Sequence, residues 1–180
     1  AVELDAGAAG LHLELLDRFT GKVQPYMLEA RKRGVLFDMG HGGAGFLWPV
    51  ATRAMSQGFP PDSISTDLHP NSIMMPQVNM PNCISKLMAL GMTLQDAISR
   101  ATVNPARAIK REDLGHLSEG AVANVAVLSL REGRFGFKDV ANNRLEGTQK
   151  FECEMTIKGG RIVYELNDIS NSVVLNPNSR

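Results

Sequence analysis

The sequence predicts an α/β fold, in which a parallel sheet with helical crossovers is followed by a smaller all-β unit. The first observation is that segments with helical spacing of apolar residues alternate with short apolar strands from Val23 to about residue 114. The second is that only turns of a few residues separate these segments, as is usual in parallel α/β units. The third is a change near residue 115, beyond which β-rich runs replace the helical spacing.

The first helix and the first strand are predicted between residues 23 and 37. Apolar residues with the i, i+3, i+4, i+7 spacing of one helix face are Val23, Tyr26, Met27 and Ala30. Basic residues at 31–33 suit the negative end of a helix dipole, and Gly34 can adopt the backbone conformation that ends a helix. Residues 35–37 are a continuous apolar run, as expected of a strand that is buried on both faces.

The same pattern repeats after a glycine-rich turn at residues 40–45. Pro49 is placed near the start of a second helix, because proline suits the first helical turn. The apolar face of this helix would contain Val50, Ala51, Ala54 and Met55. The next predicted elements are a strand and two helices, at residues 63–66, 81–90 and 93–101. Asn104 and Pro105 predict the start of one more helix, since asparagine is a good N-cap.

Residues 115–167 are predicted to form the small β unit. Its β-rich runs are residues 122–130, 155–157 and 162–164. The last two runs flank Gly159-Gly160 and predict a hairpin, because two glycines supply the positive φ angles that a tight turn requires. The polar tail at residues 168–180 is expected to be loosely held.

Composition and charge give no support for nucleic acid or membranes as binding partners. The chain has 19 basic and 19 acidic residues, so no field of one sign favours nucleic acid or an anionic membrane. It has no apolar run near the roughly 20 residues that a membrane span needs, and its N-terminus has no secretory signal pattern. Cys83 and Cys153 are expected to be free thiols of a reducing compartment. These features predict a cytoplasmic protein that binds neither nucleic acid nor membranes.

Polar residues with catalytic potential follow the two predicted strands. In parallel α/β folds ligands bind at the carboxyl ends of the strands, which selects residues 38–45 and 66–69. Asp67 is the first candidate, because a carboxylate at a strand end can hold a divalent cation and accept a proton from its bound water. The alternative for Asp67 is that it caps the next segment or forms an Asx-turn.

Two histidines and a glycine are candidates for substrate binding. His69 lies two residues after Asp67, and His41 lies among glycines, including Gly42, that let the backbone approach a ligand closely. The alternative for each histidine is an ordinary hydrogen-bonded role. The run at residues 41–45, His-Gly-Gly-Ala-Gly, is also similar to the oxyanion loop of lipases and esterases. That chemistry needs a Gly-x-Ser-x-Gly elbow, which the sequence does not contain, so a serine hydrolase is excluded.

Four segments, taken in order, resemble those of a known family. They are EARKRGVLFDMGHG at residues 29–42, DSISTDLH at 62–69, ATVNPARA at 101–108 and GHLSEGAVANVAV at 115–127. In this order and spacing the sequence resembles the amidohydrolase superfamily, in its dihydroorotase-like and deacetylase-like branch, over residues 22–165. The resemblance implies hydrolysis of amide or ester bonds in small molecules, often cyclic or N-acylated, with one or two divalent metal ions, of which zinc is expected.

The resemblance also implies a fold and a set of residue roles. The fold is a (β/α)8 TIM-type barrel with a small β-sandwich; residues 1–114 would be the C-terminal part of the barrel and 115–167 a segment of the sandwich. The strand ending at Asp38 would be the seventh of the barrel, and the strand ending at Asp67 the eighth. Asp67 would bind the metal and act as general base. The loop that contains His41 and Gly42 would face the substrate, and His69 stays a candidate because of its place near Asp67.

Other ligands of the family's metal site have no counterpart in this sequence. The His-x-His pair of the first strand, the lysine of the fourth and the histidines of the fifth and sixth find no match among His12, His41, His69 and His116. A catalytic zinc usually needs three protein ligands and a water. The isolated chain is therefore expected neither to bind metal tightly nor to hydrolyse a substrate unless an N-terminal half or another copy completes it. The alternative is a non-catalytic fragment or binding remnant of the amidohydrolase fold.

Overall fold

The parallel sheet consists of three short strands. The computed structural model describes residues 2–3, 14–75, 77–168 and 170. The strands are β1 (Val2–Glu3), β2 (Phe37–Gly40) and β3 (Ser63–Ser65), which pair in parallel in the order β1-β2-β3. The α/β fold class predicted from the sequence is confirmed. Strand β1 was not predicted.

Helices accompany the sheet throughout its described part. They are α1 (Pro25–Lys32), α2 (Trp48–Ser56), α3 (Met80–Ala89), α4 (Leu94–Ala101) and α5 (Val103–Ala108). Proline lies in the first turn of α1, α2 and α3, where its lack of an N–H has no consequence. The Asn79 side chain caps α3, and the Thr93 side chain caps α4. The first four predicted helices are confirmed, with slightly shifted ends.

The first predicted strand, at residues 35–37, is displaced. The N–H groups of Gly34 and Val35 donate to the carbonyls of Arg31 and Ala30, so these residues close the end of α1. Leu36 is 40% exposed, and the strand begins only at Phe37. The prediction was wrong in its bounds because an apolar run does not show which of its residues complete the preceding helix.

The predicted N-cap at Asn104 is also wrong. Helix α5 begins two residues earlier than this cap implies, at Val103, with Thr102 in the N-cap position. The Asn104 side-chain amide instead donates to the backbone carbonyl of Asp62 at 3.1 Å. This contact ties the start of α5 to the residue that precedes β3.

The β unit consists of three antiparallel strands: β4 (Val125–Lys138), β5 (Arg144–Lys158) and β6 (Arg161–Glu165), in the order β4-β5-β6. The predicted hairpin is confirmed, since Thr156 pairs with Tyr164 and the φ angles of Gly159 and Gly160 are +55° and +76°. Strand β4 extends far beyond the predicted run, and most of β5 was missed. These strands carry many charged residues on their exposed faces, which obscures an apolar pattern.

One apolar core joins the two sheets through α3. Its buried residues include Met39, Ile64, Ile84, Leu87, Phe137 and Phe151. Burial of each large apolar side chain contributes roughly 1.5–3 kcal/mol, so these contacts hold the β unit against the helix. The predicted boundary between residues 114 and 115 falls between α5 and β4. The division of the chain into separate domains stays a prediction.

Some sequence features lie outside the described residues. These are His12 and all of the predicted polar tail except Asp168 and Ser170. Within the described part of the chain, no helix is long and apolar enough to cross a membrane.

Candidate active site

The loops that follow β2 and β3 lie side by side at one edge of the sheet. The last paired residues of the two strands are Gly40 and Ser65. The ladder is extended by the Gly42 N–H, which donates to the carbonyl of Thr66 at 2.9 Å. The loop after β2, residues 40–45, is called the glycine loop below. The parallel register therefore brings the glycine loop and the segment after β3 together, as the strand-end rule predicts.

The Asp67 carboxylate lies against the glycine loop on its exposed side. A Cβ atom on Gly42 would lie 2.3 Å from Oδ2 of Asp67, so a side chain at this point would displace the carboxylate. Asp67 and Gly42 also have positive φ angles of +45° and +44°, and aspartate is one of the few non-glycine residues that tolerate this region. Among the described residues, no hydrogen bond or ion pair reaches the carboxylate group of Asp67. Its lone pairs are open to water or a ligand.

His69 contacts the next residue of the glycine loop. Its Nε2 atom lies 3.6 Å from the position that a Cβ of Gly43 would occupy. Its Nδ1 accepts a hydrogen bond from the Asn71 backbone N–H at 3.3 Å. Because Nδ1 acts as the acceptor, the neutral ring carries its proton on Nε2. The Nε2–H group on the side of the glycine loop is thus a hydrogen-bond donor.

His41 is part of the glycine loop, but its side chain is buried in the interior and only 2% exposed. Its ring stacks on Phe46 with centroids 5.2 Å apart, and Nδ1 lies 3.1 Å from the carbonyl oxygen of Gly42. Its Nε2 lies 2.6 Å from Nζ of Lys86. Burial, and then the Lys86 charge, lower the pKa of His41 to about 4, so the ring is neutral at pH 7. Both ring nitrogens have partners inside the protein, and the substrate-binding role of His41 stays a prediction.

Lys86 is a site residue that sequence reasoning missed. It lies on α3 with 0% of its side chain exposed, and Nζ also donates to the carbonyl of Gln77 at 2.9 Å. Burial lowers the pKa of Lys86 to about 8, against the raising effects of Cys83 and Asp139. The sequence does contain a signal for Lys86, because it is the only charged residue in residues 80–90.

Asp139 provides a buried negative charge near this pair. Its carboxylate accepts hydrogen bonds from the backbone of Trp48, Ala141 and Asn143 and from the Asn143 side chain. Burial alone would raise the pKa of Asp139, but these hydrogen bonds outweigh it and lower the pKa. The Asp139 charge raises the pKa of both His41 and Lys86 and so partly offsets the effect of their burial.

Asp38, on strand β2, has hydrogen-bond partners, whereas the carboxylate of Asp67 has none within the described part of the chain. Asp38 accepts hydrogen bonds from the hydroxyls of Ser63 and Ser65, each at 2.5 Å. Because side chains alternate along a strand, these three residues lie on the opposite face of the sheet from Met39 and Ile64. The Asp38 carboxylate therefore links β2 to β3 through side-chain hydrogen bonds.

The described residues do not by themselves fit a catalytic zinc. No three histidine, cysteine, aspartate or glutamate side chains of the described chain converge so that they could hold a metal ion. A zinc site of this type usually needs three such ligands. Asp67 offers one suitable oxygen, and His69 presents a donor N–H rather than a lone pair at Nε2.

Comparisons with known proteins show what this chain is similar to. The sequence model of the Amidohydrolase family matches residues 86–164. A deacetylase of Brucella anthropi is 39% identical over 130 residues, which are 72% of this chain and 32% of the deacetylase. The structure of an adenine deaminase matches with a TM-score of 0.78 at 27% identity, over 84% of this chain and 41% of that protein. A dihydroorotase structure matches with a TM-score of 0.65 at 28% identity, over 78% and 38% of the two chains.

This chain belongs to the amidohydrolase superfamily. The resemblance predicted from four sequence segments, including its deacetylase-like and dihydroorotase-like character, is confirmed. The chain spans about a third of the length of the curated relatives it matches. The match to the family model begins at Lys86 and covers the β unit, whereas the glycine loop and Asp67 lie outside it. The roles of Asp67, Gly42 and His69 in an amidohydrolase site stay predictions.

Proposed function

We propose that this chain is part of a metal-dependent amidohydrolase that cleaves an amide or ester bond of a small molecule, with removal of an acyl group such as acetyl as its reaction. The observation that carries the proposal is the exposed carboxylate of Asp67, which lies at the end of a parallel strand and has open lone pairs. Similarity to a deacetylase supports the choice of an acyl group.

The proposed roles follow from the contacts at the glycine loop. Asp67 can accept a proton from the water that attacks the scissile carbonyl, and carboxylates in such positions act as general bases. The Nε2–H group of His69 can donate to an oxygen of the substrate. Gly42 and Gly43 have no side chains, so a substrate can approach their backbone closely.

The metal requires ligands from beyond the described residues. We propose a divalent ion, most suitably zinc, to which this chain contributes Asp67, while an N-terminal half or another copy of the chain contributes the rest. When bound, such an ion polarises the carbonyl and lowers the pKa of water. The described residues do not supply enough ligands to hold the ion, so no step of the reaction is assigned to the metal.

We also propose a place for this chain in the fold of a complete amidohydrolase. Strands β2 and β3 are proposed as the seventh and eighth strands of a (β/α)8 barrel, within a barrel part at residues 1–114. The β unit is proposed as one layer of a β-sandwich segment at 115–167, followed by the tail at 168–180. Free thiols at Cys83 and Cys153 support a reducing compartment, for which we propose the cytoplasm.

A second candidate function is a non-catalytic binding remnant of the amidohydrolase fold. The absence of a three-ligand group among the described side chains favours it. The reading frame upstream of the Ala1 codon distinguishes the two. A frame encoding a His-x-His pair and a further lysine supports the enzyme, whereas a start codon at this point supports the remnant.

The test is a measurement of bound zinc and of hydrolysis of an N-acetyl amino acid and an acetyl ester. The chain alone is expected to hold far less than one zinc and to show no turnover. Co-expression with the upstream polypeptide should give stoichiometric metal and turnover, which Asp67→Asn should lower by about 10²–10⁴-fold as loss of a general base. Stoichiometric zinc with turnover in the chain alone contradicts the need for completion, and no turnover in the pair contradicts the enzyme.

A further inference from the structure

The side chain of Lys86 is buried without an ion-pair partner. Within the described residues, its Nζ is not in a salt bridge; its polar contacts are the Gln77 carbonyl at 2.9 Å and the His41 ring at 2.6 Å. Nζ also lies 5.5 Å from the centroid of the Phe46 ring, within reach of a cation–π contact. Burial of an ammonium group is unfavourable unless it makes good hydrogen bonds. A lysine in this position must therefore be tightly coupled to His41 and Gln77.

The direction of each hydrogen bond follows from the donors available. A lysine ammonium group only donates, so Nε2 of His41 is the acceptor. The neutral His41 ring must then carry its proton on Nδ1, which lies 3.1 Å from the carbonyl oxygen of Gly42. The lysine thereby determines which nitrogen of His41 is protonated, and the proton on Nδ1 faces the Gly42 carbonyl.

Gly42 is in this way held at both of its backbone polar groups. Its carbonyl faces His41, and its N–H donates to the Thr66 carbonyl at 2.9 Å. A Cβ built on Gly42 would lie only 2.3 Å from Oδ2 of Asp67. A rotation of the Gly42 backbone would therefore displace the Asp67 carboxylate or break the bond to Thr66.

We infer that Lys86 is a positioning residue, which acts through His41 to hold the Gly42 backbone where it sets the Asp67 carboxylate. The importance of Asp67 rests on the proposed function, but the contacts that position it do not. Lys86 touches neither a substrate nor the carboxylate itself.

Gln77 extends the same network to the β unit. Its carbonyl accepts from Lys86, while its side chain donates to the Gly136 carbonyl at 3.0 Å and accepts from the Lys138 N–H at 2.7 Å. Lys86 thus connects the glycine loop with the segment after β3 and with β4. The position of the glycine loop depends on the packing of the β unit against α3.

The first test is the tautomer of His41, measured by ¹⁵N NMR on the 180-residue chain at pH 7 with labelled histidine. The His41 signals are assigned by their loss in His41→Phe. The native ring is expected with its proton on Nδ1. Lys86→Met keeps the length of the buried side chain but removes the donor, so the proton should move wholly or partly to Nε2. Lys32→Met is the matched control, since Lys32 is an exposed lysine on α1.

The second test is amide hydrogen exchange at Gly42. Loss of a hydrogen bond to a charged group should speed exchange about tenfold in Lys86→Met. If Lys86 acts through His41, the double variant Lys86→Met/His41→Phe should exchange no faster than His41→Phe alone. Lys86→Gln, which restores a neutral donor, should recover much of the protection and the Nδ1 tautomer, and it replaces Lys86→Met if that variant does not fold.

A native His41 ring protonated on Nε2 overturns the inference. An unchanged exchange rate of the Gly42 amide in the folded Lys86 variants also overturns it. So does a double variant in which the two substitutions speed Gly42 exchange additively. These readouts involve neither metal nor substrate. The positioning role can therefore fail while the proposed hydrolysis stands, and the hydrolysis can fail while the positioning role stands.

Discussion

His41 contacts Gly42 from the protein interior, whereas Asp67 contacts the same residue from the solvent-exposed side. The interior group has a partner for each ring nitrogen and a stacked aromatic neighbour. The exposed carboxylate has no hydrogen-bond partner among the described residues. The two sides of Gly42 therefore have different roles. Interior polar groups maintain the loop conformation, and the exposed carboxylate is left available for chemistry.

The largest expected effect is a loss of stability with acid that depends on His41. The pKa of His41 is lowered from 6.5 to about 4 by burial and by Lys86. Between these values the unfolded chain binds a proton at His41 that the folded chain does not bind. Stability from this group is therefore complete above pH 6.5 and falls by about 3 kcal/mol as the pH drops to 4.

Urea denaturation between pH 4 and 7 measures this effect. His41→Phe should lose most of the acid-dependent destabilisation, because phenylalanine has no proton to take up. His69→Phe is the control, because it makes the same substitution at a histidine outside the His41–Lys86 pair. A His41→Phe variant that is destabilised by acid as steeply as the native chain would show that His41 does not titrate as its burial implies.

A smaller effect is expected where the two sides meet, at Gly42. Gly42→Ala combines an unfavourable positive φ with a collision against Asp67, and it should lower the free energy of unfolding by about 2–3 kcal/mol. Gly58→Ala is the matched control, since Gly58 has a φ of +72° but open space around it, and it should lose only about 1 kcal/mol.

The double variant Gly42→Ala/Asp67→Gly separates the two causes. Removal of the carboxylate should recover the collision component and leave a loss close to that of Gly58→Ala. Equal losses in Gly42→Ala and Gly58→Ala, measured by urea denaturation, would mean that Asp67 does not press against the loop.

The two sides of the site also differ in how far the sequence predicts them. Asp67 and His69 follow a strand at its carboxyl end, so a short local segment is enough to select them. The contact of Lys86 with His41 joins residues 45 positions apart, and no local pattern reveals it. The one local sign of Lys86 is that it is a single charged residue in an apolar helix. That sign does not identify His41 as its partner.

The same distinction explains the fold. Helices with regular apolar spacing and the Gly159-Gly160 hairpin are local features, and the sequence predicts them correctly. Most of β5 escaped prediction because its strand partners lie far away in sequence, as for Glu152, which pairs with Ser129 in the ladder. The helix closure at Val35 and the contact of Asn104 with Asp62 likewise depend on neighbours that the local pattern does not contain.

The smallest expected change in the free energy of unfolding is that of Asp67→Asn, and it tests whether this carboxylate serves the fold. Asp67→Asn should change the free energy of unfolding by less than about 0.5 kcal/mol, because the exposed carboxylate makes no hydrogen bond within the described chain. Asp139→Asn is the contrasting control: its buried carboxylate accepts four hydrogen bonds, and the variant should lose about 1–3 kcal/mol. Both values come from urea denaturation at pH 7. A loss above 1 kcal/mol in Asp67→Asn would instead show that the negative charge of Asp67 serves the fold, and the site would lose its best candidate base.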